Sequence, residues 1–194
     1  MNWLLLVKFV HIITTVFMAV PLYSLIVVNE RARLGRGVAA DVDRYMENMI
    51  RGNARRCFVF QLTILVTGLI LLLLSGMGLR AIVGNIAIMI KTGALAALMV
   101  LLSYVHLSLQ PRIDALLKTV DGAEIPQDVW QQMASLRLRR KRLAASCLFS
   151  LIIAVIFAAQ VYAILPLWVN VMLLILTALF VRHAFRSVVP YGWI

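Results

Sequence analysis

Four residues carry most of the chemistry open to this otherwise apolar chain: His11, Lys91, His106 and His183. Lys91 lies ten residues into the uncharged run that begins at Ala81. At ~1.5 Å per helical residue, that is roughly 15 Å from the end of the run. Near the middle of a bilayer a charged Lys costs at least ~2.5 kcal/mol. No Asp or Glu occurs in any of the chain's long apolar runs. Lys91 therefore snorkels outward, loses its charge, pairs with an internal polar group (Asn85, Gln160 or Asn170), or meets an acidic or carbonyl group of a cofactor, lipid or partner subunit. As a buried cation it is also a candidate binding charge for a small anion.

Intramembrane imidazoles point to haem b or copper. Depth limits how they combine. Counted along their helices, His11 is roughly 10 Å and His106 roughly 37 Å from the same membrane face, so they cannot share one iron. His106 and His183 fall near the opposite face and form one candidate pair. His11 needs a non-His partner at similar depth, such as Met89. Cys57 and Cys147 lie at helix ends on the inner side, without the His or Cys neighbours of a zinc site, and are expected to stay reduced. Met46 and Met49 form a single Met-x-x-Met, read as the apolar face of a helix. No nucleophile–base set, paired carboxylates or phosphate loop is present, and a proton-coupled pump normally needs an intramembrane acid.

The elements that must position these residues follow from composition. The 194 residues are 63% hydrophobic and only 14% charged, with a mean hydropathy of +0.95. A soluble domain of this size cannot hide so much apolar surface, which excludes a soluble enzyme or nucleic-acid binder despite the net charge of +11. Apolar stretches cover residues 4–28, 57–77, 81–109 and 143–181. The first three fit one span each; the fourth is too long for one. Pro166 suits the first turn of a helix and divides it into 143–163 and 166–181. The expected fold is all-α: one domain, residues 1–194, of about five transmembrane helices with polar loops at 29–56 and 110–142. No basic segment precedes the first stretch, so it reads as a retained helix rather than a cleaved signal.

The two loops and the tail after the fifth span hold sixteen of the nineteen Lys and Arg and all eight acids. The positive-inside rule then places both loops and the C-terminus in the cytoplasm and the N-terminus outside. Arg55, Arg56, Arg137, Arg139, Arg140, Lys141 and Arg142 are expected at lipid headgroups, and the Arg-rich cluster next to a span argues for lipid rather than nucleic acid. Val42, Met46, Met49 and Ile50 predict an amphipathic helix lying on the inner interface. Pro126 predicts the start of a helix carrying Trp130 and Met133 into span four, making a cytoplasmic hairpin with span three.

Small residues at every fourth position let membrane helices approach closely. Ser146, Ser150, Ala154 and Ala158 in span four, and Gly93 and Ala97 in span three, predict that these two spans are buried in a bundle. Gly84 offers a second close approach. Tyr23, Trp168 and Trp193 suit the membrane–water interface.

The opening Trp3-Leu-Leu-Leu-Val-Lys8-Phe9-Val10-His11, followed by an apolar run and then Arg31 and Arg33, resembles the start of bacterial predicted integral membrane proteins distantly similar to copper-resistance protein D. Those proteins typically show Lys-Phe-x-His near the start of their first helix. They commonly place a Gly one to three turns after the His, where this chain reads Met18-Ala19-Val20-Pro21. The resemblance covers about thirty residues. It implies a bacterial inner-membrane protein with copper or haem handling at His11.

The expected role is a non-catalytic accessory or scaffold subunit of a larger membrane assembly of respiratory or photosynthetic type, with lipids and other membrane subunits or a second copy as partners and no nucleic acid. The alternatives are a haem b- or copper-binding redox or metal-handling protein using His11 or the His106/His183 pair, and a small-anion transporter using Lys91.

Overall fold

The computed structural model describes residues 2–33, 39–161 and 164–186. Among these the chain is helical, without strands. Five helices are long and apolar enough to cross a membrane: α1 Trp3–Val28, α2 Ala40–Leu74, α3 Ile86–Lys118, α4 Gln127–Ala159 and α5 Leu167–Arg186. The fold class is a polytopic helical membrane bundle, as the apolar runs predict. The division at Pro166 is also seen: the Pro166 carbonyl accepts from the amides of Val169 and Asn170 and so opens α5.

Local chemistry sets the helix boundaries. The Asn2 side chain caps α1 by accepting from Leu5 N, and Asn85 caps α3 by accepting from Ala87 N and Ile88 N. Gly76 and Gly78 take positive φ, 73° and 66°, in the turn after α2, where a side chain would be strained. Within α3, Val105–Leu109 form a π-helical turn. Pro111 follows it. Its ring would crowd the Leu107 carbonyl and it has no N–H to offer, so a widened turn accommodates it.

α4 is the central helix. It packs on α1, α3 and α5, while α1 packs mainly on α2. Met18, Leu22, Cys57, Ile64, Leu98, Leu102, Cys147 and Leu151 form the core between α1, α2, α3 and α4. Beyond the apolar stretches, at the charged end of the bundle, Ala40, Ile113, Leu117, Trp130 and Met133 build a second core.

Two expectations are corrected. Residues 41–56 do not form a separate helix along an interface; they are the first half of the 35-residue α2. The face that packs is not the expected one: of Val42, Met46, Met49 and Ile50 only Ile50 is buried. Val42 is 42% and Met49 39% exposed, whereas Asp43, Glu47, Ile50, Ala54, Cys57, Gln61 and Ile64 are buried. Their spacing alternates four and three, a continuous seam running from the charged end into the apolar stretch. The acids are inside because they have buried cationic partners.

The small-residue stripes also behave differently from expectation. Gly93, Ala97 and Ser146 are exposed, and a Cβ at Gly93 or Gly84 would meet nothing within 4 Å. The α3–α4 contact is made by larger side chains, Leu95, Leu98, Leu102, Cys147 and Leu151 among them. Ala154 and Ala158 are half-buried and line a cavity instead. Gly93→Ala is therefore expected to leave the thermal midpoint in detergent unchanged or raised, worth up to about 1 kcal/mol through helix propensity. A clear loss of stability would show that Gly93 is packed against another helix. Trp168 is exposed, as an interface anchor would be; Trp193 lies outside the described residues.

Candidate functional site

Four helices enclose a cavity of about 470 Å³ in the half of the bundle away from the charged end. That volume is within the usual range for small-molecule sites. Its walls are apolar, aliphatic side chains with the Met18 thioether, except for His11 and Thr15 from α1 and Lys91 and Thr92 from α3. The fold thus brings together His11 and Lys91, eighty residues apart in the chain. Ile12, Val16 and Val155 belong both to the lining and to the exposed outer surface, so the cavity meets the lipid-facing side of the bundle.

His11 is held in one orientation. Its Nδ1 is 2.8 Å from Thr67 Oγ1. That hydroxyl has Thr63 O at 2.6 Å to receive its hydrogen, which leaves its oxygen placed to accept from His11 Nδ1–H. In the neutral imidazole this leaves Nε2 as the free acceptor or ligand nitrogen. Gly68 of α2 lies beside the ring: a Cβ there would stand 3.4 Å from His11 Cε1, in van der Waals contact.

Among the described residues no ion pair involves Lys91. Two of the acceptor oxygens expected for it, those of Asn170 and Asn85, already accept elsewhere. Gln160 donates to Asn170 Oδ1 at 2.6 Å, and Asn85 caps α3. α3 begins at Ile86, so Lys91 stands five residues from its start rather than ten into the span, and its ammonium faces a mostly aliphatic cavity.

The other candidates are not brought together. Met89 is 45% exposed and does not line the cavity. His106 packs edge-on to Phe58 of α2, ring centroids 5.7 Å apart, and its Nδ1 is buried without a protein partner. His183 is exposed on α5, whose main contact is α4. The imidazoles of His106 and His183 therefore belong to different surfaces. Among the described residues no group of three His, Cys, Asp or Glu is placed to hold a metal ion.

The charged end holds what sequence reasoning missed. Arg137, Arg140 and Lys141 are fully buried and cannot reach headgroups; only Arg55, Arg56, Arg139 and Arg142 of the predicted set are exposed. Arg31 pairs with Asp43 at 2.9 Å and with Glu47. Arg137 pairs with Asp43 and with Glu47 at 3.1 Å. Arg140 reaches Glu47 at 2.8 Å and is also bonded to Asn29 and Gln110. Lys141 pairs with Glu30. Burial alone would raise the Glu47 carboxyl, but the guanidiniums of Arg140, Arg31 and Arg137 override it and hold it down at about 2. Arg137 also stacks over Trp130, 5.2 Å from the ring centroid. This network ties α1, α2, α3 and α4 together and has the geometry of a clasp, not of a reactive site. The sequence signal for it was the period shared by Asp43 and Glu47 with Ile50, Ala54 and Cys57.

The class this fold defines is a multi-pass helical membrane protein with a lipid-side cavity. Comparison with protein-family models, curated proteins and solved structures yields no match.

The donor set tests the groups that the N-terminal resemblance implies. Copper finds one imidazole and no thiolate, thioether or second imidazole beside it. Met18 also lines the cavity, but it stands seven residues, ~10 Å, along α1 from His11. Copper does not fit. Haem requires only one axial imidazole, and His11 with its Nδ1–H engaged by Thr67 supplies the usual second contact of such a ligand. A haem would find that one imidazole in His11.

Proposed function

We propose that the protein is a ligand-carrying accessory subunit of a larger bacterial inner-membrane assembly, with the four-helix cavity as its binding site. The observation that carries this reading is the convergence of His11 and Lys91 on one mostly aliphatic cavity. A purely structural bundle gains nothing from a membrane-embedded cation without a carboxylate. The arrangement of charge supports the N-out, C-in orientation and an inner membrane: Arg55, Arg56, Arg139 and Arg142 ring the charged end at its surface.

Within this reading His11 and Lys91 orient the ligand, the aliphatic walls exclude water, and the ionic clasp holds the four helices in register. If haem b is the ligand, it supplies one-electron chemistry, and His11 Nε2 is its protein ligand.

Purification of the full chain in mild detergent, followed by mass spectrometry and an absorption spectrum, tests the proposal. The expected result is a stoichiometric non-protein molecule and co-purifying membrane subunits. His11→Ala should remove the molecule while leaving the thermal midpoint within a few degrees. A ligand-free, monomeric wild-type protein that stays folded would overturn the reading.

A further inference from the structure

We infer that the cavity is built for an apolar acid: a ligand bearing one acidic hydroxyl, carboxylic or phenolic, on a hydrocarbon body. The inference rests on the cavity reading above and names the ligand class. Four observations carry it.

The first is charge. Lys91 lines a mostly aliphatic cavity and has no carboxylate partner in any apolar stretch of the chain. An ammonium in such surroundings is best satisfied by an acceptor oxygen that enters with the ligand. The second is proton geometry. Thr67 engages His11 Nδ1, so the nitrogen left for the cavity is Nε2, an acceptor in the neutral ring. One acceptor and one cationic donor together suit a hydroxyl: its proton faces the imidazole and its oxygen the ammonium. The third is the lining, which apart from His11, Lys91, Thr15 and Thr92 is apolar, aliphatic side chains with the Met18 thioether, and so fits an apolar body. The fourth is access. Ile12, Val16 and Val155 stand at once on the cavity wall and on the exposed surface, so a membrane-dissolved molecule enters sideways without crossing water.

Free fatty acids and membrane quinols share this chemistry. Equilibrium binding to the full chain in detergent separates them with two pairs of probes. One pair is a fluorescent polyene fatty acid and its methyl ester; the other is a decyl benzoquinol and its dimethyl ether. Wild type should prefer the free hydroxyl form of at least one pair by tenfold or more, as expected for a charge-assisted hydrogen bond. The pair that shows the preference assigns the source. Lys91→Met should abolish the preference while leaving the blocked form's affinity and the thermal midpoint in place, and Lys91→Arg should retain part of it.

Equal binding of free and blocked forms to wild type, or a preference that survives Lys91→Met, would overturn the inference while leaving the cavity reading intact. If none of the four probes binds, the acid assignment fails; if, in addition, Ala158→Phe, which narrows the cavity, leaves the co-purifying molecule unchanged, the cavity reading fails with it. A Soret band in the purified protein that persists in Lys91→Met would give the cavity to haem and likewise overturn the acid assignment.

Discussion

Glu47→Ala is expected to destabilise the protein by about 3–5 kcal/mol, the usual cost of removing one partner from a buried charge pair. Glu47 is 1% exposed. Its two oxygens engage Arg31, Arg137, Arg140 and Gln110. Without it, Asp43 is left to satisfy two guanidiniums, and Arg140 keeps only the uncharged Asn29 and Gln110 oxygens. Denaturant or thermal unfolding in detergent reads the loss, with Arg55→Ala as the control. Arg55 is exposed and should change stability by no more than about 0.5 kcal/mol. If the two variants unfold alike, the network does not hold the bundle. The pH dependence follows in sign. The Glu47 carboxyl lies lower folded, at about 2, than in the unfolded chain. Its contribution is therefore fully present above the ordinary carboxylate range, near 4.5, and is lost as pH falls through that range toward 2. Glu47→Gln should flatten this acid limb, because the group that titrates is gone.

Trp130→Ala is expected to cost a similar amount, about 3–5 kcal/mol, by opening a cavity in a core outside the apolar stretches. Trp130 is 2% exposed among Ile113, Leu117 and Met133, and its ring carries the Arg137 guanidinium. The effect should be regional. Limited proteolysis should cut between the ends of α3 and α4, near residues 119–126, much faster than in wild type, while the apolar halves of the helices stay protected by detergent. Uniform protection of that segment in the variant would show that Trp130 is not anchoring the charged end. Trp130→Phe keeps most of the volume and should recover most of the loss.

These two residues mark where sequence reasoning stopped. Trp130 and Met133 were placed on a helix running from Pro126 into span four, and they lie on α4. Apolar residues at helical spacing beside a proline are a local signal. Glu47 was counted only among the acids of the polar loops, because its period with Ile50, Ala54 and Cys57 does not say what the face meets. Its partners come from residues 31, 137 and 140, and only the packed bundle brings them within 3 Å or so. For the same reason Arg137, Arg140 and Lys141 read as a headgroup cluster beside Arg139 and Arg142. The helix turns the first three inward and the other two outward, but which face is inward depends on where α2 stands. The stripe through Gly93 and Ala97 failed in the opposite sense. Small residues permit close approach without compelling it, and larger leucines made the contact.

The candidate site divides in the same way. Lys91 stood out because hydropathy prices a lone cation inside an apolar run, and His11 because an imidazole there is unusual. Neither signal says that the two share a cavity, that Thr67 engages one nitrogen of His11, or that Asn85 and Asn170 already accept elsewhere. Those are statements about neighbours on other helices.

By itself the sequence determined the helical class, the five spans, their division at Pro166 and the collection of charge beyond the apolar stretches. Each of these depends on local composition measured against the thickness and polarity of a bilayer. Only the tertiary structure decided which charges are buried and paired, which histidine faces a cavity, and that Lys91 is its companion. Those outcomes depend on the rotation of each helix about its axis, which is set by packing between residues far apart in the chain.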